Sequence, residues 1–204
     1  MPRIFELIIS FFAAIILLPF FFVIIVLIKI DSRGSWLYRS KRVGKDGRLF
    51  TMYKFRTMSE DANKIGPPIT GRDDSRITRI GAVLRKTKLD ELPQLINVLK
   101  GEMGFVGARP EDPGIVEQCP ALFETILKYR PGMTSPASIR YRAEETLIPP
   151  DHWETFYCRE LLPEKIKIDA EYMQQTDFMK DIGVIVNTFG IGKKYRSQAG
   201  KKHV

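Results

Sequence analysis

The chain has 204 residues, 44% of them apolar and 11% aromatic, with 32 Lys and Arg against 24 Asp and Glu for a formal charge of +8. That size suits one domain, and the composition excludes a disordered chain, a collagen-like repeat, a disulfide scaffold resting on Cys119 and Cys158 alone, and a multi-span transporter. Charge is divided along the chain: Leu7 to Ile28 is a run of 22 residues without any, and 30 of the 32 cations follow Lys29, so a membrane anchor precedes a basic globular part.

The apolar run passes directly into Lys29-Ile30-Asp31-Ser32-Arg33 with no small-residue cleavage site, so it reads as a permanent anchor and not a signal peptide. As a straight helix it reaches about 33 Å, enough to cross a hydrocarbon core of about 30 Å. Pro19 lies near its middle, where proline removes a hydrogen bond and clashes with the Ile15 carbonyl, at about 3 kcal/mol in an ordinary helix. Two outcomes stay open: a kinked spanning helix, or a re-entrant helix-break-helix that returns Arg3 and Glu6 to the side of Lys29 and Arg33. The cations Lys29, Arg33, Arg39, Lys41 and Arg42 outweigh the amino-terminal flank, which puts the globular part in the cytoplasm. The two lone cysteines point the same way, to a reducing compartment.

Leu37 to Val43 and Leu49 to Met58 are strand-like runs around Gly44-Lys45-Asp46-Gly47, a tight-turn sequence, and predict a β-hairpin. Ser59 to Ser75, with Gly66, Pro67, Pro68 and Gly71, predicts a loop. Ile77, Ile80, Val83 and Leu84 have helical spacing from Arg76 to Leu84, and Leu92, Leu95, Ile96 and Leu99 repeat it until Gly101 supplies a stop. Arg159 to Met173 and Phe178 to Ile191 predict surface or interfacial helices, with ordinary core packing as the alternative.

Between the first two helices stands Asp90-Glu91-Leu92-Pro93. Proline is tolerated only in the first turn of a helix, so the carboxylates lie at a helix start, where the helix dipole and Arg85, Lys86 and Lys88 favour their ionised forms. Ionised carboxylates suit nucleophilic attack or divalent-metal binding; an N-cap Asp beside a dipole-compensating Glu is the plain alternative. Gly101-Glu102-Met103-Gly104-Phe105-Val106-Gly107-Ala108-Arg109-Pro110 follows, with glycines at intervals of three before an arginine stiffened by proline, an anion-binding pattern that matches neither a P-loop nor a dinucleotide fingerprint; a plain turn is the equal alternative. Carboxylates, Arg76, Arg79, Arg85 and the Arg109 loop beside a membrane anchor describe phosphate-ester chemistry at a bilayer surface.

The segments Tyr53-Lys54-Phe55-Arg56-Thr57-Met58, Arg76-Ile77-Thr78-Arg79-Ile80-Gly81, Leu84 to Leu95, Asn97-Val98-Leu99-Lys100-Gly101, Gly107-Ala108-Arg109-Pro110 and Tyr129-Arg130-Pro131-Gly132-Met133-Thr134 together resemble the monotopic phosphoglycosyl transferases of the bacterial sugar transferase family, over essentially the whole chain. The resemblance implies transfer of a sugar-1-phosphate from a nucleoside diphosphate sugar, a uridine one by expectation, to polyprenyl phosphate. It makes Asp90 the nucleophile, Glu91 its partner on Mg²⁺ or Mn²⁺, and Lys54, Arg56, Arg85, Arg109 and Pro110 the residues that hold substrate and phosphate. It also implies an α+β, predominantly helical fold: residues 1–30 as a re-entrant helix broken at Pro19, then a monotopic catalytic domain, 31–204, with the hairpin and interfacial helices. The setting is the cytoplasmic face of the bacterial inner membrane, with membrane lipids and downstream glycosyltransferases as partners. Where the family often has Ser before the proline this chain has Leu18, and Gly104, Ala108 and Ser135 are further departures. A non-catalytic scaffold of the same fold is the competing reading, and the intact Asp90-Glu91 pair disfavours it.

His152 and His203 lack partners at zinc spacing and are not expected as ligands. Arg140, Arg142, Glu144 and Glu145 form a mixed run after the Pro-Gly motif and are candidates for a sugar or nucleotide contact, a solvated face being the alternative. The closing cations Lys193, Lys194, Arg196, Lys201 and Lys202 suit anionic lipid; no nucleic-acid partner is expected.

Overall fold

The computed structural model describes residues 1–62, 74–144, 147 and 153–190. Most of the expected 59–75 loop, Glu145, His152, His203 and the closing cations lie outside the described residues.

α1 runs from Arg3 to Asp31 as one helix with Pro19 inside it. The chain stays helical through the proline, where a helix-break-helix was the expectation, so the backbone is continuous at Pro19. α1 is long and apolar enough to cross a membrane and is mostly exposed. Glu6, Ser10, Ala13, Leu17, Phe21, Ile24 and Ile28, all buried or half-buried, fall three or four residues apart and mark one face. Both ends of that face rest on the globular part. Ile24 and Ile28 pack with Phe55 and Leu84, and Phe21 meets the Phe55 ring edge-on at 5.3 Å. At the other end Phe5 meets Phe178 at 5.4 Å, and Glu6 is 4% exposed.

β1 (Leu37–Val43) and β2 (Leu49–Phe55) form the expected antiparallel hairpin, with Leu37 opposite Phe55 and Val43 opposite Leu49. The turn between them places Asp46 and Gly47 at φ 56° and 74°, the left-handed region that Asp and Gly tolerate best. β2 ends three residues before the predicted Met58, which instead bridges to Ile77. α2 (Arg79–Thr87) begins after Thr78, whose side chain accepts from the Gly81 N–H. A 3₁₀ turn (Leu89–Gln94) leads into α3 (Leu95–Lys100), which stops at Gly101 with φ 88°. The 3₁₀ turn packs on β2, and α3 packs on α1.

β3 (Gly104–Val106) pairs in parallel with β4 (Gly132–Thr134), a second small sheet inside the expected glycine loop. α4 (Pro113–Gln118), α5 (Pro120–Phe123), α6 (Pro136–Arg140), α7 (Trp153–Phe156), a π turn (Tyr157–Leu161), α8 (Leu162–Gln175) and α9 (Phe178–Thr188) complete the described chain. The fold is thus α+β and largely helical, as expected. One apolar cluster joins Ile115, Phe123, Ile126, Tyr157, Leu161 and Leu162 beneath the Arg109 loop. A second, of Met52, Val98 and Met103, joins β2 to α3.

Candidate active site

Asp90 and Glu91 stand in the 3₁₀ turn, one turn earlier and more tightly wound than the α-helix start expected of them. Lys88, at φ 60°, is the pivot: it closes α2 in a left-handed conformation costing a non-glycine residue about 1 kcal/mol, and so redirects the chain into the turn.

Asn97 fixes that turn against the hairpin. Fully buried, it accepts from the Tyr53 N–H at 3.1 Å and donates to the Thr51 carbonyl at 2.6 Å and to Glu102 at 2.7 Å. It therefore satisfies the outer edge of β2 as a third strand would, and holds the Asp90 turn over Lys54. The sequence signal was a lone amide in an apolar helix, and no role was assigned to it.

Glu91 is the charge centre. Its Oε1 accepts from Lys54 Nζ at 3.1 Å and from Arg109 Nη2 at 2.7 Å, and its side chain is 13% exposed. Burial alone would raise the Glu91 carboxyl, but Arg109 and Lys54 together hold it well below the usual carboxylate range. Burial, with Arg109 close by, pulls the Lys54 ammonium down to about 8 against the attraction of Glu91. Glu91 in turn pushes Arg109 further up, so Arg109 is permanently charged. Asp90 is 7% exposed, and burial raises its carboxyl, with Glu91 adding to the effect and Lys54, Lys88 and Arg109 opposing it. Among the described residues its buried Oδ1 has no hydrogen-bond partner, and neither has the Nε2 of Gln94, three residues beyond Glu91. Buried polar atoms are almost always paired, so unpaired ones inside a cation-rich site mark a place for a ligand.

Of the other predicted binding residues, Arg85 lies behind this centre, its Nε donating to Thr57 Oγ1 at 2.9 Å. Arg56 turns elsewhere. It donates to the carbonyls of Arg33 at 2.5 Å and Ser32 at 2.9 Å and to Ser32 Oγ at 2.9 Å, so it secures the exit of α1. Pro110 is buried behind Arg109. The glycines do not form the expected anion cradle. A Cβ on Gly104 would come within 2.6 Å of Glu6 Oε1, and one on Gly107 within 2.6 Å of the Arg130 carbonyl, so these glycines admit α1 and β4. Ser135 is buried as the cap of α6, accepting from the Ser138 N–H at 3.0 Å. Cys119 and Cys158 are free thiols.

Among the described residues no group of three or more His, Cys, Asp or Glu side chains could hold a metal by itself. The available oxygens are Asp90 Oδ1 and the Glu91 oxygen that Lys54 and Arg109 leave free, a donor set suited to a cation completed by phosphate oxygens.

A carboxylate pair held under Lys54 and Arg109, in a chain with a long apolar helix, defines the class as a membrane-associated protein with a charged, largely buried site. The bacterial sugar transferase profile matches residues 1–194, and the chain belongs to that family. It is 35% identical to the undecaprenyl-phosphate glucose phosphotransferase of Komagataeibacter xylinus, over 91% of this chain and 34% of that protein. It is 32% identical to the exopolysaccharide production protein ExoY of Sinorhizobium fredii, over 91% of this chain and 82% of that protein. A UDP-glucose:undecaprenyl-phosphate glucose-1-phosphate transferase of Caulobacter vibrioides is 32% identical, over 91% of this chain and 67% of that protein. Several relatives are longer, and the chain spans 65%, 34% and 22% of three of them.

Proposed function

We propose that the chain is a polyprenyl-phosphate sugar-1-phosphate transferase using a uridine diphosphate sugar, with a covalent intermediate on Asp90. The observation that carries this reading is the unpartnered buried oxygen of Asp90 beside a Glu91 already clamped by Lys54 and Arg109. A nucleophile must keep an oxygen uncommitted, whereas a structural carboxylate does not. Relatives named as undecaprenyl-phosphate glucose transferases supply the substrate classes.

In the first step an Asp90 oxygen attacks the sugar-bearing phosphorus. An O–P bond forms, the bond to the other phosphate breaks, and nucleoside monophosphate leaves with the electron pair. In the second step a phosphate oxygen of polyprenyl phosphate attacks the same phosphorus and Asp90 departs as carboxylate, leaving a polyprenyl-diphosphate sugar. Arg109 and Lys54 hold the diphosphate by charge, and Glu91 keeps both cations in place between turnovers. Asp90 and Glu91 would hold Mg²⁺ or Mn²⁺, which when bound neutralises phosphate charge.

The same proposal includes a re-entrant anchor on the cytoplasmic face of the inner membrane. Support comes from the two ends of α1. A straight crossing separates its ends by about 33 Å of hydrocarbon, yet Arg3 donates to the Met103 carbonyl at 3.3 Å and to the Val98 carbonyl, while Asp31 at the far end accepts from the Ile80 N–H at 2.9 Å. Both ends rest on one globular body, and this supports a re-entrant course with its bend at Pro19.

The test is single-turnover reaction of radiolabelled uridine diphosphate sugars with the full chain in nanodiscs, followed by acid quench and peptide mass analysis. The expected result is nucleoside monophosphate release, a phosphosugar on Asp90, and loss of both in excess chelator. A label on Glu91, or release without any label, would refute the covalent assignment.

A further inference from the structure

A second buried polar cluster lies behind Arg109 and takes no part in the chemistry above. Lys165, 6% exposed on α8, donates to Glu144 Oε2 at 2.6 Å and to the Tyr157 hydroxyl at 3.2 Å, and its Nζ is 4.0 Å from Glu111 Oε1. The Tyr157 hydroxyl donates to that same Glu111 oxygen at 2.5 Å. Burial first, and then Glu111 and Glu144, push the Tyr157 hydroxyl well above its ordinary range, so it stays a neutral donor. Tyr157 opens the π turn, an irregularity that aims a side chain where a regular helix would not.

Two features make this more than packing. Glu111 is separated from Arg109 only by Pro110, whose fixed φ limits how the two can move relative to each other. Moreover, Glu111 and Glu144 both attract Arg109 electrostatically and so compete with Glu91 for it. Among the described residues Lys165 is the cation paired with those two carboxylates, while Arg109 stays on Glu91 at 2.7 Å.

We propose that Lys165 is a positioning residue of the donor-phosphate site: with Tyr157 it binds Glu111 and Glu144, and so keeps Arg109 on Glu91, facing the donor diphosphate. This rests on the function proposed above, and it adds a role for residues outside the site. Buried ionic clusters are poor sources of stability, since desolvation offsets their attraction. That leaves the placement of Arg109 as the effect of Lys165 on the active site.

The test is a double-mutant cycle between Lys165→Met and Arg109→Ala, read on the dissociation constant for UDP with the full chain in nanodiscs. UDP binding needs no turnover, so a wild type that binds UDP but releases no nucleoside monophosphate would strike the function reading and leave the cycle to decide this one. The expected result is about tenfold weaker UDP binding for Lys165→Met in the wild-type background and less than about twofold in the Arg109→Ala background. In turnover, donor KM should rise while acceptor KM stays unchanged. If Lys165→Met does not fold, Tyr157→Phe breaks the bridge to Glu111 without removing a charge, and its smaller loss should likewise vanish with Arg109→Ala. Equal effects in both backgrounds, or unchanged UDP affinity in a folded single variant, would overturn the proposal.

Discussion

Glu6 and Glu91 are both buried glutamates beside arginines, yet they do opposite things. Glu6 accepts from the Phe105 N–H at 3.2 Å and from Arg3 at 3.1 Å, with Arg130 at 3.6 Å, so its charge is answered entirely within the chain. Glu91 has two cations on one oxygen, and beside it Asp90 keeps an oxygen with no hydrogen-bond partner among the described residues. The two places are joined by a few residues, since Phe105 lies in β3 and Arg109 follows shortly after. The contrast separates an anchor from a site: the Glu6 carboxylate is spent on partners within the chain, whereas the Asp90 carboxylate, among cations, keeps an acceptor for something that binds.

The sharpest way to break this contrast is to make the leftover oxygen useless. Asp90→Asn should lower turnover by a factor of at least about 10³ while thermal unfolding stays within a few degrees of the parent, because a nucleophile is lost but no internal bond is. Rapid-quench kinetics with parallel melting curves test both halves. A large drop in unfolding temperature would put Asp90 with Glu6, as a structural carboxylate.

Next in size is Arg109, which serves Glu91 but, on the proposed function, also the donor. Arg109→Ala should reduce kcat/KM for the donor by about a hundredfold, and Arg109→Lys should recover only part of it, since a point charge replaces a planar fork. Equal kinetics for the two variants would mean that the guanidinium geometry is irrelevant.

On the anchor side, Glu6→Ala leaves the Phe105 N–H and the Arg3 guanidinium short of a partner, at about 2 kcal/mol. It should release the amino-terminal end of α1 without touching the chemistry. In a Cys119→Ser, Cys158→Ser background, a Pro2→Cys probe should be protected from an impermeant thiol reagent in intact cells. Labelling should rise on adding Glu6→Ala, and rise less on adding Pro19→Ala, because α1 is already helical through its proline. Exposure in the unaltered parent would show an ordinary crossing helix.

The effect smallest on activity concerns Asp169, another buried carboxylate, which accepts from the Ala137 N–H at 3.0 Å and has no ion-pair partner among the described residues. Burial pushes its carboxyl up to about 6, against the pull of Ala137, Ser135 and Lys165. A raised carboxylate means that the folded chain holds the proton more tightly than the unfolded one, so stability falls as pH climbs from about 4 to about 6 and stays lower above it. Asp169→Asn should remove that penalty. Its melting temperature relative to the parent should therefore be level near about pH 4 and rise toward about pH 7, by up to roughly 3 kcal/mol in stability. A constant difference across the range would show that Asp169 does not titrate there.

Local pattern was enough for much of this molecule. Strand-like runs and the Gly44-Lys45-Asp46-Gly47 turn determine the hairpin, apolar spacing and Gly101 determine α2 and α3 to within a few residues, and Asp90-Glu91-Leu92-Pro93 marks the start of a helical run. These depend on period, proline and φ, which neighbours in sequence decide between themselves. Lys54 and Arg109 were also legible, as cations in ordered motifs.

Only the tertiary structure decided what each charge meets. Arg56 had the same sequence credentials as Lys54, yet it lies past the end of β2, where the α1 exit presents carbonyls at 2.5 and 2.9 Å. The glycines of the Arg109 loop suggested an anion cradle because glycine reports only that something comes close, and here Glu6 and Arg130 come close. Glu111, Tyr157, Lys165 and Glu144 are scattered over 55 positions and show no spacing at all. They become a cluster only when α8 and the π turn pack beneath the Arg109 loop. An ion pair needs two residues within a few ångströms, and sequence separation does not constrain that distance once the chain has folded back on itself.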